Sequence, residues 1–391
     1  MVDEGTGSLS AIEISDAMAR IGAEYDVDVA ADATTFTLTT VTRFAARGAA
    51  LLASLITAPS LRETDFDRVR QLRLDRLRQL KDMAPAVAER TFLRLLYGTH
   101  PYGHLAIGSD TALRELTLVD VAAMHLERFV PAATTLVVCG SLLAEELFEL
   151  AHRAFGEWEA VAAPGSPAAA TTDPATTPAS AFSPGPRLAI VPRDGAAQSE
   201  LRIGHLSTRR DTPDYPALLV MNALLGGQFV SRVNLKLREE KGYTYGARTG
   251  FDWHKGMSPF SLQASVHTAV TADAIRDSLA ELEGIRGVRP PTPQELSLAK
   301  ASLTRGYPRN FETAQQVGRA VAQLALYGLP DSYFAEFIPK VNTVTADELI
   351  AAAMTHLHPD RLTMLIVGDH AIIGESLNSL GFGAAAVLPI G

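Results

Sequence analysis

Apolar and polar residues alternate along this chain with two different periods, which predict two kinds of element. Residues 34–42 alternate as in a β-strand with one buried face. Residues 48–56 and 274–282 place apolar side chains three and four positions apart, which predicts amphipathic helices. Strands grouped with helices that pack on one face of a sheet form an α+β layer fold. The pattern therefore predicts an α+β protein.

The predicted elements occur twice, which indicates two related halves. Gly-Ala-Glu-Tyr at 22–25 aligns with Gly-Tyr-Thr-Tyr at 242–245. Each half is predicted to end on a β-branched strand that runs into glycine, at 136–140 and at 365–368. Capping boxes predict helix starts in both halves: Thr64 with Asp67, Thr117 with Asp120, Thr292 with Glu295, and Thr345 with Glu348.

A segment of small and polar residues separates the halves. Residues 160–186 consist almost entirely of Ala, Pro, Thr, Ser and Gly, which cannot build a core. We therefore predict a first domain at 1–158, a linker at 159–187 and a second domain at 188–391.

The alignment of the halves pairs Met1 with Met221, so the predicted strands at 188–191 and 199–204 have no counterpart in the first half. A domain without those strands would expose a sheet edge, which proteins avoid. We therefore expect the sequence to begin inside its first domain. A shorter first domain that a partner completes is the alternative.

Composition narrows the classes of function. The 391 residues are 47% hydrophobic and 20% charged, as in a soluble globular protein of two or three domains. A net charge of −9 argues against a nucleic-acid partner. No apolar run reaches the length of a membrane span, and the first residues lack a signal-peptide pattern. Cys139, the single cysteine, excludes an internal disulfide, and its apolar neighbours predict a buried core thiol.

The histidines do not form a recognisable zinc helix. His100 and His104 are separated by one helical turn, but Pro101 and Gly103 break a helix, so we predict a packed turn there. His356 and His358 are predicted to stabilise the end of a helix. No metal ligand is predicted in this chain.

The segment 224–245 carries the densest pattern of functional residues. It reads Leu-Leu-Gly-Gly-Gln-Phe-Val-Ser-Arg-Val and continues at 237 as Leu-Arg-Glu-Glu-Lys-Gly-Tyr-Thr-Tyr. A helix that ends before Gly242 and turns into a strand would deliver Arg238 and Tyr245 to one end of a sheet. Gly242 suits the left-handed backbone after a helix.

This segment resembles the second domain of the M16 (pitrilysin/insulinase-like) zinc peptidases. The resemblance covers about the whole chain and is stronger over 188–391. It implies two homologous domains of the LuxS/MPP-like metallohydrolase type, each a mainly antiparallel sheet with helices on one face, arranged as a clamshell around a peptide chamber.

In that family the Arg and Tyr hold carbonyl oxygens of the peptide beside the zinc of another domain, so the resemblance implies that Arg238 and Tyr245 bind substrate. The supporting loop comprises Gly226, Gly227, Ser231, Arg232 and Gly242. The two adjacent glycines are interpreted as close backbone packing or as a flexible substrate-facing loop. They are not a phosphate cradle, because the Lys-Ser/Thr of a P-loop is absent.

The zinc-binding half of the family pattern does not match. No His-x-x-Glu-His occurs, and the resemblance would place that helix directly before Gly5. The downstream zinc-binding Glu of the family aligns near Leu77. The nearest carboxylate, Asp75, lies between Arg73 and Arg76, where positive charge disfavours Zn²⁺. The positions equivalent to the Arg/Tyr pair in the first half are Met18 and Tyr25, so only the second half supplies the pair.

These features lead to one hypothesis and two alternatives. The hypothesis is a non-zinc, substrate-binding subunit of a heteromeric M16 zinc metalloendopeptidase that is inactive alone and binds extended peptides by strand addition. It expects no cofactor in this chain and zinc in a partner subunit that carries His-x-x-Glu-His. The alternatives are a single-chain M16 peptidase whose zinc segment is missing from this sequence, and a non-enzymatic scaffold subunit. The compartment stays open between bacterial cytoplasm and periplasm, and neither nucleic acid nor membrane is expected as a partner.

Overall fold

The computed structural model describes residues 1–159 and 185–390. Its helices are α1 Ala11–Ala19, α2 Ala45–Thr57, α3 Glu63–Lys81, α4 Ala84–Tyr97, α5 Asp110–Glu115, α6 Leu118–Arg128, α7 Ala144–Phe155, α8 Tyr215–Leu225, α9 Arg232–Asn234, α10 Thr271–Glu283, α11 Pro293–Thr304, α12 Ala314–Tyr327, α13 Tyr333–Thr343, α14 Ala346–His356 and α15 His370–Asn378. A π-helical stretch, Leu235–Glu240, continues α9. The strands are β1 Gly5–Thr6, β2 Leu9–Ser10, β3 Glu24–Val29, β4 Thr34–Thr39, β5 Leu188–Pro192, β6 Gln198–Leu206, β7 Thr244–Phe251, β8 Pro259–His267, β9 Thr363–Gly368 and β10 Ala386–Val387.

These elements form two compact units, each assembled from separate stretches of chain. The described parts of the first unit are residues 1–78, 106–159 and 309–328, and those of the second are 79–105, 185–308 and 329–390. Helix α4 therefore packs within the second unit and α12 within the first. The division of the sequence at 159–187 into two homologous halves stays a prediction, and most of that linker lies outside the described residues.

In the first unit, β3 and β4 form an antiparallel hairpin. Ser10 and Glu13 close a capping box at the start of α1, which packs Ile14 and Met18 against Leu55. Leu77 is 1% exposed in an apolar cluster with Leu74 and Leu113.

Three sequence expectations for this unit are wrong. Residues 136–139 form no strand, since the backbone from 134 to 139 has no regular secondary structure. Cys139 is half-buried, since no strand carries it into a core. Helix α3 begins at Glu63, so Thr64 lies inside the helix and does not cap it. The other three capping boxes, at residues 117, 292 and 345, are confirmed.

The second unit contains a six-stranded sheet in the order β10-β5-β9-β6-β8-β7. β10, β5 and β9 run parallel to one another, whereas β9, β6, β8 and β7 pair antiparallel. One face of this sheet packs on α8, α10, α11 and α14 through a single apolar cluster that includes Leu201, Leu262 and Met221. The predicted α+β class with a mainly antiparallel sheet is confirmed.

The other face of the same sheet is divided between apolar and polar side chains. Phe92 and Leu96 of α4 cover the apolar part, which β5 and β9 supply. Along β6 and β8 the alternation of side chains turns residues such as Glu200, Arg202 and Gln263 to this face. The polar part therefore lies towards β7, the edge strand.

Candidate functional site

Gly226 makes the close contact between the end of α8 and the edge strand. Its carbonyl accepts a hydrogen bond from Thr249 N at 3.1 Å, and its own N–H donates to Asn222 O. A Cβ at this position would lie 2.4 Å from Thr249 Oγ1. At Gly227 a Cβ would lie 2.8 Å from Asn222 Nδ2. Of the two interpretations of these glycines, the contacts fit close backbone packing.

Ser231 and Arg232 begin the next helical segment and point into the protein. Ser231 is fully buried and occupies the N-cap position of α9. Arg232 makes a bidentate contact with Glu295, at 2.7 Å from Nε and 2.8 Å from Nη2, and also donates to Arg289 O. The guanidinium thus fastens α9 to the start of α11 and does not face solvent.

The ion pair with Arg232 changes the acidity of Glu295. Hydrogen bonds from the Arg232 side chain, together with one from the amide of Thr292, lower the pKa of Glu295 to about 2. Glu295 also completes the capping box of α11 with Thr292. One carboxylate therefore serves both the helix start and the anchor of the candidate site.

Gly242 reverses the chain between the helical segment and β7. Its φ is +64°, the left-handed conformation that glycine adopts without strain. The N–H groups of Gly242 and Tyr243 donate to Arg238 O and Leu237 O, which closes the helix end. Gly22, the aligned residue of the first half, has a φ of +58°. The same turn therefore occurs at both aligned positions.

Arg238 lies on the π-helical stretch with its guanidinium stacked over an aromatic ring. The guanidinium carbon is 4.1 Å from the ring centroid of Phe229, within the range of a cation–π interaction. The ion pair with the adjacent Glu239 is long, at 3.5 Å. About a third of the side chain, 32%, is exposed. Arg238 is therefore oriented by Phe229 and accessible to a ligand.

Tyr245 lies on a β-bulge at the start of the edge strand. Thr244 pairs with Val266 and Ala247 with Ala264, so Tyr245 and Gly246 together oppose one residue of β8. The Thr244 hydroxyl holds the bulge by donating to Ser265 O at 2.7 Å and accepting from Gly246 N at 3.1 Å. Bulges redirect side chains and are common beside active sites. The side chain of Tyr245 is 87% exposed.

Asn234 links the two candidate residues, and the sequence did not single it out. Its Nδ2 donates to Phe229 O at 2.6 Å, and its Oδ1 accepts from Ala247 N at 3.0 Å. The residue is 4% exposed. It therefore joins the loop that carries the stacking partner of Arg238 to the bulge that carries Tyr245. The sequence offered one signal for this role, an amide side chain one turn before Arg238 and between the apolar positions 233 and 237.

The described residues do not form a zinc site. No group of three or more His, Cys, Asp or Glu side chains converges within 1–159 and 185–390. His100 accepts a hydrogen bond from Tyr102 N in the predicted turn, Pro101–Gly103. His356 contacts Asp214 at 2.7 Å at the end of α14. Among the described residues, no helix combines the length and apolarity of a membrane span.

This geometry defines an α+β unit with an exposed Tyr on the bulge of its edge strand and an Arg on the preceding helical segment. Residues 115–303 match the family model described as "Peptidase M16 inactive domain", and this match contains both Arg238 and Tyr245. Over these residues the chain is therefore similar to the inactive domain of the M16 peptidase family.

Individual relatives agree with this assignment. An uncharacterized zinc protease of Mycobacterium tuberculosis is 25% identical over 370 residues, which cover 94% of this chain and 82% of that protein. A non-peptidase homolog, YmxG of Helicobacter pylori, is 20% identical over 94% of this chain and 83% of its own length. A solved peptidase M16 inactive domain from Pseudomonas fluorescens superposes with a TM-score of 0.79 at 22% identity, covering 94% of this chain and 86% of that chain. The predicted resemblance is confirmed, and the relatives include both proteases and a non-peptidase.

Gly226→Ala is expected to lower the free energy of unfolding by about 1–3 kcal/mol, because the new methyl group would overlap Thr249. Gly250→Ala is the control on β7, next to Thr249, since a Cβ at Gly250 meets nothing within 4 Å. Chemical denaturation of both variants tests this prediction. Equal stability of the two variants would contradict the close packing.

Glu295→Gln is expected to lower stability more at neutral pH than in acid. Arg232 holds the pKa of the folded carboxyl at about 2, below the unfolded value of 4.5. The ion pair therefore stabilises the fold above about pH 4.5, and this contribution is lost as the pH falls towards the folded pKa. The difference in unfolding free energy between the native protein and the variant should become smaller as the pH falls from about 6 to about 3. Glu375→Gln, on an exposed part of α15, is the control and should show no such narrowing.

Asn234→Ala is expected to leave Ala247 N and Phe229 O without their partners, at a cost of about 1–3 kcal/mol. Hydrogen exchange should show faster exchange of the Ala247 amide, because its acceptor is gone. Asn342→Ala, at an exposed position of α13, is the control. Unchanged protection of Ala247 would show that Asn234 does not hold the bulge.

Proposed function

We propose that this chain is the zinc-free, substrate-binding subunit of a heteromeric M16 zinc metalloendopeptidase, to whose active site it supplies Arg238 and Tyr245. The observation that carries the proposal is the exposed Tyr245 on a bulge that buried polar side chains hold in place. A large aromatic side chain left 87% exposed gains little from packing. Its position suits contact with a ligand or a partner.

The chemistry of the pair fits the stabilisation of a carbonyl oxygen. In peptide hydrolysis negative charge develops on the scissile carbonyl oxygen, and preorganised donors lower the barrier. The hydroxyl of Tyr245 and the guanidinium of Arg238 are both donors. Phe229 restricts the orientation of the guanidinium, and the bulge sets the backbone position from which the phenol extends. The guanidinium is thereby oriented before substrate binds.

Within residues 1–159 and 185–390, no three His, Cys, Asp or Glu side chains are grouped as zinc ligands would be. In this proposal a partner subunit with His-x-x-Glu-His holds zinc, which activates the attacking water. The resemblance places a zinc-binding Glu of the family near Leu77, which is buried in an apolar cluster here, and this supports the assignment of zinc to the partner.

The edge strand also bears on how the peptide binds. The N–H groups of Ala247 and Thr249, on the outer side of β7, already donate to Asn234 Oδ1 and Gly226 O. A peptide cannot add a strand there without displacing these acceptors. We therefore assign the main-chain pairing of an extended peptide to a sheet of the partner, and side-chain donation to this chain.

The proposal is tested by tagging the chain in its native host and purifying the intact assembly. The assembly should contain an M16 subunit with His-x-x-Glu-His and bound zinc, and it should cleave unfolded peptides. Within it, Tyr245→Phe and Arg238→Ala should each lower kcat/KM by about a hundredfold, because each removes a donor from the carbonyl oxygen. Assembly and zinc content should not change.

Arg209→Ala is the control, because Arg209 forms an exposed ion pair with Asp211 at 3.1 Å and lies outside the site. Full activity of an assembly that carries both site variants would overturn the proposal. A non-enzymatic scaffold predicts no cleavage by any assembly that contains this chain. An assembly without a zinc-binding subunit that still cleaves peptides would point to the single-chain peptidase.

A further inference from the structure

A polar stripe crosses three strands beside Tyr245. Arg202 of β6 lies opposite Gln263 of β8, which in turn lies opposite Arg248 of β7. Residues directly opposite one another on neighbouring strands share one face of the sheet. Arg202, Gln263 and Arg248 therefore form a row that ends at the edge strand.

A second row runs parallel to the first and reaches the bulge. Glu200 of β6 lies opposite Ser265 of β8, and Tyr245 and Gly246 oppose Ser265 on the other side. Side chains of both rows line a cleft of about 360 Å³. The cleft is therefore next to the residue proposed to contact the scissile carbonyl.

The buried guanidinium of the cleft is paired with two carboxylates. Arg202 is 4% exposed and donates to Glu200 Oε1 at 2.5 Å and to Glu89 Oε2 at 3.1 Å. The second oxygen of Glu200 accepts a hydrogen bond from the Ser265 hydroxyl. These side chains form the floor of the cleft, where both carboxylate oxygens of Glu200 accept hydrogen bonds.

Arg248 is different, because its partner is neutral. Its Nε and Nη2 donate to the same Gln263 Oε1, at 3.2 and 2.9 Å. Within the described part of the chain no carboxylate lies within ion-pair distance of it. The side chain is exposed at the edge of the sheet. Among the described residues that line the cleft, Arg248 is thus the charged side chain without a charged partner.

We propose that this cleft is a subsite for a carboxylate of the peptide substrate, bound by Arg248 in place of its contact with Gln263. A guanidinium binds a carboxylate through two parallel hydrogen bonds, which a single amide oxygen cannot match. The carboxylate belongs to an acidic side chain near the scissile bond or to the C-terminus of the peptide. The inference rests on the proposed function, since it assumes that peptide binds beside Tyr245.

The test measures binding of fluorescein-labelled five-residue peptides to the full chain by fluorescence anisotropy. The peptides are polyalanine with a central glutamate, glutamine or lysine, each with an amidated or a free C-terminus. The glutamate peptide should bind about tenfold more tightly than the glutamine peptide, as expected for one charge-assisted contact. If the C-terminal carboxylate is the ligand instead, the glutamate and glutamine peptides should bind alike, and amidation should weaken both about tenfold. If the side chain is the ligand, amidation should have no effect.

Variants distinguish the contribution of the subsite to peptide binding from that of the rest of the site. Arg248→Ala should abolish the preference for glutamate, and Arg248→Glu should reverse it in favour of lysine, which a folding defect cannot produce. Arg209→Ala is the matched control and should keep the preference. Tyr245→Phe should weaken all peptides alike and leave the ratio between them unchanged.

The outcomes distinguish this inference from the proposed function. Equal affinity for the three peptides in both their free and amidated forms, with loss of binding in Tyr245→Phe, would overturn the subsite and leave the function standing. A preference for a carboxylate that depends on Arg248, in a chain whose affinity for peptides does not fall in Tyr245→Phe, would support the subsite and count against the function. Failure of every peptide to bind at about millimolar concentration would overturn the subsite.

Discussion

The arrangement of the site depends on two backbone N–H groups of one edge strand, those of Ala247 and Thr249. An edge strand presents unpaired donors that must find partners in water or in protein. Here the partners are internal, the side chain of Asn234 and the carbonyl of Gly226. These two bonds fix the segment between α8 and the π-helical stretch against the strand that carries Tyr245. The positions of Arg238 and Tyr245 are therefore coupled through the backbone.

Other features of the segment follow from that constraint. Gly226 must lack a side chain, because its carbonyl can reach Thr249 N only when nothing fills the space in between. Gly242 must take a left-handed conformation, because the chain turns from helix to strand within a few residues. Arg232 fastens the start of α9 to Glu295 of α11. The segment is thus held at its start, its middle and its end, and the exposed groups extend from a rigid support.

The sequence was informative where a local rule determines geometry. The capping box at Thr292, the left-handed Gly242 and the strands predicted at 188–191, 199–204 and 365–368 follow from short-range patterns, and the structure contains all of them. The apolar run at 136–140 was misleading, because a strand also needs a neighbour to pair with and none is present among the described residues. Asn234 was missed for a related reason. Its role depends on Ala247, thirteen residues away and reached only through the turn at Gly242.

The polar face of the sheet argues for a function beyond stability. Removing the charges of Glu200 and Arg202 from water is costly, and a well-packed apolar pair at such positions is often equally stable or more stable. The neighbouring strands β5 and β9 carry apolar side chains on the same face, where α4 covers them. The polar stripe on β6, β8 and β7 carries no such apolar side chains, although the alternation of side chains would have allowed them. Charged and amide side chains lead instead from the buried pair of Glu200 and Arg202 to the exposed edge beside Tyr245, where the proposed function places the peptide.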